Sequence, residues 1–191
     1  MAKPKDIALF GTSADPPTQA HKTILEWLSH HYDQVAVWAA DNPLKSDQTP
    51  LQHRIKMLEL MIASLDTSKN NVFLASHLSS PRSLETVQKA EALWGKGVDF
   101  TFVIGSDLIA QIPRWYASEE FLQRVHLLIV PRPGYPPRQG DLNRLSEMGG
   151  TYEVANLDAP QVSSTAYRQN GRSEVVAPSV KQYIQRQQLY S

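Results

Sequence analysis

The sequence predicts an α/β fold in a single domain, built on a doubly wound parallel sheet of five to six strands with helices on both faces. Three observations predict it. Short apolar runs alternate along the chain with segments in which apolar residues recur at helical spacing. The runs are nearly unbroken, which is typical of strands covered on both faces. The helical segments between them can supply the right-handed crossovers that parallel strands need.

Three strand–helix units are predicted in the first half of the chain. The apolar runs predict strands at Ile7 to Phe10, Gln34 to Ala40 and Asn71 to Ser76. Helical spacing predicts helices from Thr18 to about His31, from Pro50 to Leu65 and from Ser83 to Trp94. The second helix is indicated most clearly, because its apolar residues fall on one face and Pro50 stands near its first turn.

The second half continues the alternation with shorter helices. The apolar runs predict strands at Asp99 to Ile104, His126 to Val130 and Tyr152 to Leu157. Helices are predicted from Glu119 to Arg124, from near Ser164, and from Pro178 to about Gln188. The prolines and glycines of segment 131–140 predict a loop and not a domain boundary. The domain is expected to span residues 1–191, with a C-terminal helical part from about 160 to 191.

Composition excludes several classes of function. Lys plus Arg and Asp plus Glu each number 19, and this balance argues against a long nucleic acid as the main partner. The absence of cysteine excludes disulfides, thiol catalysis and zinc–thiolate sites. No apolar run is long enough for a signal peptide or a membrane span, so we expect a cytoplasmic protein without a membrane partner. The sequence leaves open whether the chain forms a homo-oligomer.

The loop after the first strand carries the first functional pattern. Ligands of such folds bind beyond the carboxyl ends of the strands, and segment 11–21, GTSADPPTQAH, lies there and opens a helix. The N-terminus of a helix attracts phosphate. Gly11 permits a tight turn, and Thr18 and His21 share one face of the first helical turn. The plainer interpretation is a capping threonine with a buried histidine, but the glycine, the aspartate and the location favour phosphate binding.

A second pattern of the same kind lies near the other end of the chain. Ser163 and Ser164 stand at the start of a predicted helix, where they offer a cap and free N–H groups. Arg168 follows one turn later and adds a fork of hydrogen-bond donors for phosphate. Neither segment is a P-loop or a dinucleotide fingerprint, since GxxxxGK[ST] and GxGxxG are absent from them.

Together these segments resemble the signatures of the nucleotidylyltransferase superfamily. Segment 11–21 is similar to GGxFDPxHxGH and its TxGH variant, and segment 162–168, VSSTAYR, is similar to ISSTxxR. Further segments resemble those of the bacterial nicotinate mononucleotide adenylyltransferases, namely GSD at 105–107, IPRWY at 112–116 and RPGY at 132–135. The resemblance covers residues 6 to 190 and is weakest at 138–150. It implies a Rossmann-like fold.

The resemblance also implies a reaction. The phosphate of nicotinate mononucleotide would attack the α-phosphorus of ATP, pyrophosphate would leave, and deamido-NAD would form in a step of NAD biosynthesis. The enzyme needs no nucleophile of its own, because the substrate already supplies one, so its task is to align two anions and spread charge. Mg²⁺ would bridge phosphate oxygens and be held mainly by substrate and water, without a protein metal ligand.

Site residues follow from the same resemblance. The catalytic residues would be His21, Thr18 and Arg168. ATP would be bound by Gly11, Thr12, Ser13, Thr18, His21, Gly105, Asp107, Ser163, Ser164, Thr165 and Arg168. The mononucleotide would be bound by Lys45, Ser83, Thr86, Trp115 and Arg132. Trp115 is expected to stack on the pyridine, because an electron-poor ring packs well on an indole.

Some positions depart from the family pattern and keep alternatives open. Thr12, Ala14 and Ala20 replace a glycine, a phenylalanine and a second glycine in the first signature, and Arg82 stands where the family has a tyrosine. One alternative is the same chemistry on nicotinamide mononucleotide or another phosphate ester. The other is a non-catalytic, nucleotide-binding regulatory protein.

Overall fold

A six-stranded, all-parallel sheet forms the centre of the protein and confirms the predicted fold class. The computed structural model describes residues 4–41, 47–95, 97–171 and 175–191. The strands are β1 Asp6–Thr12, β2 Gln34–Ala39, β3 Val72–Leu74, β4 Asp99–Gly105, β5 His126–Val130 and β6 Thr151–Val154. Their order across the sheet is β3-β2-β1-β4-β5-β6, so the chain reverses its direction of winding between β1 and β4. Ligands of doubly wound folds bind at that point.

Helices cover both faces of this sheet. They are α1 Gln19–His31, α2 Leu51–Ala63, α3 Ser83–Trp94, α4 Ser118–Arg124, α5 Gln139–Glu147, α6 Ser164–Asn170 and α7 Pro178–Arg186. Alternate residues of β1 divide the core: Ile7 and Leu9 pack with α3, α4 and α5, whereas Ala8 and Phe10 pack with α1, α2 and α7. Within the described part of the chain, no helix is long and apolar enough to cross a membrane.

The structure adds helices where none was predicted. Two 3₁₀ helices span Ser76–Leu78 and Ser106–Arg114, and α5 lies directly after the proline-rich loop. α5 escaped prediction because its buried apolar residues are only Leu142 and Leu145. A short, mostly polar segment after a proline-rich loop has a weak helical signal, and its packing against the sheet supplies what the sequence pattern lacks.

Candidate functional site

A cavity of about 900 Å³ opens at the carboxyl ends of β1, β4 and β5. It lies at the switch point of the sheet, and segments from both ends of the chain form its walls. The predicted site residues among its lining are Gly11, Thr12, Ser13, His21, Gly105, Asp107, Arg132, Ser163, Ser164, Thr165 and Arg168. The two segments predicted to face one ligand are therefore brought together, although a chain length of about 150 residues separates them.

His21 lies in the first turn of α1 and lines the cavity. Its Nδ1 accepts the backbone N–H of Thr18 at 3.0 Å. A ring nitrogen that accepts a hydrogen bond carries no proton, so the neutral imidazole carries its proton on Nε2. His21 thus caps the helix with one ring nitrogen and keeps an N–H on the other as a donor for a ligand.

The protonation of His21 is set by its surroundings. Burial, followed by the nearby positive charge of Arg132, lowers the pKa of His21 from 6.5 to about 4. Both causes disfavour the imidazolium. At neutral pH, His21 therefore offers a neutral hydrogen-bond donor to the cavity and not a full positive charge.

Thr18 is a buried residue at the start of α1. Its side chain is fully buried, is not part of the cavity lining, and places its hydroxyl 3.0 Å from Nδ1 of His21. The reason is that Thr18 is the N-cap of α1, where the backbone is extended and the side chain folds back over the first turn. Thr18 thus lies behind His21 in this structure, and its direct contact with phosphate stays a prediction.

The start of α6 is joined to the loop between β1 and α1. The hydroxyl of Ser164 donates to the carbonyl of Pro16 at 2.8 Å, and the guanidinium of Arg168 donates to the carbonyl of Asp15. The side chain of Ser163 caps α6 by accepting the N–H of Ala166 at 3.1 Å. These contacts hold the donors of both segments around one volume.

Asp107 and Arg132 form an ion pair at the mouth of the cavity, at 2.9 Å. A side chain at Gly105 would meet Oδ1 of Asp107 at 2.4 Å and Cδ of Arg132 at 2.9 Å, so the pair depends on the bare glycine backbone beneath it. Oδ1 of Asp107 is buried and has no hydrogen-bond partner within the described residues. A buried acceptor without a partner marks a place where a ligand hydroxyl or amine would fit.

Gly11 is needed for a reason that the sequence did not reveal. It lies within β1 and not in a turn. A side chain on Gly11 would meet three ring atoms of Trp38 at 2.7 to 2.8 Å. The glycine therefore makes room for the indole of the neighbouring strand, and this corrects the prediction that it serves a tight turn.

Arg54 is a functional candidate that the sequence reasoning missed. Its side chain is 1% exposed and donates to the carbonyls of Thr49, Ser13 and Ala40 at 2.8, 3.1 and 2.7 Å. Ser13 and Ala40 line the cavity, so the buried guanidinium binds two backbone carbonyls of the cavity wall. A signal was present, since Arg54 follows Leu51 by three residues on the apolar face of α2.

Asp15 and Tyr190 form a second contact that was missed. Asp15 is 2% exposed, and its Oδ1 accepts the hydroxyl of Tyr190 at 2.6 Å. The two residues lie 175 positions apart. No local pattern in the sequence connects them, because the fold alone brings the segment after α7 to the back of the first loop.

Of the residues predicted to bind the mononucleotide, Arg132 lines this cavity, whereas Ser83, Thr86 and Trp115 do not. Thr86 is buried and donates its hydroxyl to the carbonyl of Leu78 at 2.9 Å, and its predicted ligand contact stays a prediction. Ser83 begins α3 and is also outside the lining. Trp115 packs against Phe121, with ring centres 5.6 Å apart, and lines a separate cavity of about 310 Å³.

The last member of that predicted set is Lys45. It lies outside the described residues, and its predicted role stays a prediction. Arg82, where the family has a tyrosine, lies over the ring of Tyr116 at 4.2 Å and pairs with Glu85.

Known proteins match this chain over most of its length. Residues 9–170 match the model of the cytidylyltransferase-like family. The chain is 45% identical over 196 residues to a probable nicotinate-nucleotide adenylyltransferase of Synechocystis sp., covering 96% of this chain and 98% of that protein. It is 26% identical to the nicotinate-nucleotide adenylyltransferase of Bacillus subtilis, covering 97% and 98%.

Solved structures are similar in fold. The Plasmodium falciparum nicotinic acid mononucleotide adenylyltransferase complexed with NaAD superposes with a TM-score of 0.82 at 23% identity, over 97% of each chain. The same enzyme complexed with APC gives a TM-score of 0.79. At this level of identity, the likeness establishes the architecture of the chain.

Proposed function

Because the chain belongs to the cytidylyltransferase-like family and, within it, to the nicotinate-nucleotide adenylyltransferases, we propose that it transfers the adenylyl group of ATP to nicotinate mononucleotide. The products are deamido-NAD and pyrophosphate. One observation in the structure of this chain supports the proposal. Two phosphate-directed segments, the start of α1 and the start of α6, meet in one cavity and are tied together by the contact between Ser164 and Pro16.

The chemistry needs alignment more than a reactive side chain. The phosphate of the mononucleotide is the nucleophile, so it attacks the α-phosphorus of ATP while the bond to pyrophosphate breaks. Negative charge on the transferred phosphoryl group and the leaving pyrophosphate must be met by donors that are already in place. In this scheme, the Nε2–H of His21 and the guanidinium of Arg168 supply such donors from two sides of the cavity.

Two residues act behind these donors. Thr18 holds the ring of His21 through its backbone N–H, which fixes the tautomer with its proton on Nε2. Arg54 donates hydrogen bonds to the carbonyls of Ser13 and Ala40, which reduces the repulsion between these dipoles and phosphate oxygens. Both residues therefore support binding from behind these donors.

Mg²⁺ enters the proposal as an ion held by the substrate. The starts of α1 and α6 present hydroxyl, imidazole and guanidinium groups to the cavity, and such donors bind anions. A cation fits such a surface when it arrives on the phosphate oxygens of ATP and keeps its remaining waters. The ion would neutralise charge between the phosphates of ATP.

Contacts of the ATP sugar and of the acceptor are part of the proposal as well. Oδ1 of Asp107 lacks a hydrogen-bond donor within the described residues, and it would accept a hydroxyl of the ATP sugar. Trp115 would stack on the pyridine ring, with Arg132 near the mouth of the cavity to meet the phosphate. Lys45 and Ser83 are proposed acceptor contacts on the resemblance of their segments.

Pyrophosphate release with matched acceptors tests the proposal. The protein is incubated with ATP, Mg²⁺ and either nicotinate or nicotinamide mononucleotide, and the dinucleotide product is identified by mass. We expect turnover with the nicotinate form and a much lower kcat/KM with the nicotinamide form. Equal kcat/KM for both would contradict the acid preference. ATP binding in calorimetry without turnover on either acceptor would favour a non-catalytic nucleotide-binding protein.

A further inference from the structure

A buried carboxylate belongs to the loop between β1 and α1 that borders the cavity. Asp15 is 2% exposed and borders the cavity. Its Oδ2 accepts the backbone N–H of Thr49 at 3.2 Å, and its Oδ1 accepts the hydroxyl of Tyr190 at 2.6 Å. A negative charge at this position repels the phosphates of a nucleotide unless neighbouring donors and cations compensate it.

Arg168 contacts both this carboxylate and the cavity. Its Nη1 donates to the carbonyl of Asp15 and lies 3.9 Å from Oδ2 of the same residue. Its side chain is 36% exposed and lines the cavity. The guanidinium of Arg168 can therefore interact with two anions, the carboxylate of Asp15 or a phosphate bound in the cavity. Each further donor that Asp15 receives weakens the pull of its carboxylate on Arg168.

Tyr190 has an unusual backbone conformation and one aromatic neighbour at the position from which it donates. Its backbone φ is 62°, a left-handed conformation that residues other than glycine rarely adopt. Its ring packs edge-on against Tyr167 of α6, with ring centres 5.8 Å apart. Burial, followed by the hydrogen bond to Asp15, raises the pKa of Tyr190 far above its usual range. The hydroxyl therefore keeps its proton and donates a hydrogen bond to the carboxylate.

We infer that Tyr190 is a positioning residue for ATP, an inference that rests on the proposed function. By satisfying Oδ1 of Asp15, the hydroxyl of Tyr190 leaves the guanidinium of Arg168 turned to the cavity. Tyr190 touches no substrate atom and acts through Asp15 and Arg168. In the proposed function, Arg168 binds the phosphates of ATP. Loss of the Tyr190 hydroxyl should therefore weaken the binding of ATP and leave the binding of the mononucleotide unchanged.

Tyr190→Phe removes only the hydroxyl and is the first variant to measure. We expect its KM for ATP to rise about tenfold, which corresponds to about 1.4 kcal/mol. The KM for nicotinate mononucleotide stays unchanged. Tyr183→Phe is the matched control, since the hydroxyl of Tyr183 pairs with His53 at 2.8 Å between α2 and α7. Both KM values of the control should equal those of the wild type. An unchanged KM for ATP in Tyr190→Phe overturns the inference.

A double-mutant cycle identifies the route of the effect. Asp15→Asn removes the charge that attracts Arg168, so Tyr190→Phe should no longer change the KM for ATP in that background. The same rise in KM in both backgrounds contradicts a route through Asp15. Thermal melting of each variant separates positioning from folding. A lowered Tm with equal rises in both KM values indicates a purely structural role and also overturns the inference.

The failure of this inference can be told apart from failure of the proposed function. A wild-type protein without turnover on either mononucleotide contradicts the proposed function. The dissociation constant of ATP, measured by calorimetry without an acceptor, then tests Tyr190 by itself. Weaker ATP binding in Tyr190→Phe and unchanged binding in Tyr183→Phe support the positioning role, and equal binding in both variants refutes it.

Discussion

Replacement of His21 by alanine removes two interactions that can be measured separately. The first is the hydrogen bond from the backbone N–H of Thr18 to Nδ1, which caps α1 at 3.0 Å. Loss of such a cap costs about 1 kcal/mol of folding stability. The second is the Nε2–H that lines the cavity. Loss of one donor to a developing negative charge lowers kcat about 10²- to 10³-fold, or about 2.7 to 4 kcal/mol of transition-state stabilisation.

The assay follows pyrophosphate release at saturating ATP and nicotinate mononucleotide, together with urea unfolding of the same samples. We expect kcat of His21→Ala to fall at least about 10²-fold, while the free energy of unfolding falls by about 1 kcal/mol. The loss of transition-state stabilisation, about 2.7 kcal/mol or more, should therefore exceed the loss of about 1 kcal/mol in the free energy of unfolding.

The matched control for this variant lies on the same helix. His31 contacts the carbonyl of Trp27 through Nδ1 at 2.7 Å and stacks on its indole at the far end of α1. His31→Ala should keep the kcat of the wild type. A near-normal kcat in His21→Ala would show that the imidazole does not assist transfer and that its role is confined to capping the helix.

Three further outcomes are expected. Because the pKa of His21 is lowered from 6.5 to about 4, the unfolded chain binds a proton first as pH falls. The free energy of unfolding should therefore drop by roughly 1 to 3 kcal/mol between pH 6.5 and 4, and urea unfolding of His21→Ala should lack that drop. Arg54→Met leaves buried carbonyls unpaired, so urea unfolding should show a loss of about 2 to 5 kcal/mol, against less than about 0.5 kcal/mol for the exposed Lys56→Met on the same helix. Trp115→Ala should raise the KM for the mononucleotide, and an effect confined to ATP would contradict the stacking role.

Elements of the fold with a clear apolar pattern could be predicted from the sequence, and elements with a weak pattern could not. The strands of this protein are nearly continuous apolar runs, and α2 has a clear apolar face, so both were predictable from local spacing. The helix α5 was not, since it buries only Leu142 and Leu145. The 3₁₀ helix Ser106–Arg114 buries Ile109 and Ile112, but its apolar pattern is short and Pro113 interrupts it. Such elements form because the rest of the protein packs against them.

The candidate site divides in the same way. Donors that cluster in one short segment, such as His21 after its strand or Arg168 one turn into α6, were predictable, because strand-to-helix turns place them at one edge of the sheet. The buried state of Thr18 and Thr86 was not predictable, since a hydroxyl that caps or crosses a turn has the same sequence signature as one that faces a ligand.

By itself, the sequence determined the class of fold, the family of the chain and the two segments that line one cavity. Those features depend on residue type and spacing within about ten positions. Only the tertiary structure decided the neutral state of His21, the hydrogen bonds from Arg54 to backbone carbonyls of the cavity wall, and the contact of Tyr190 with Asp15. Each of these features depends on burial and on partners distant in the chain. Burial and such contacts arise only when the folded sheet brings the carboxyl ends of its strands together.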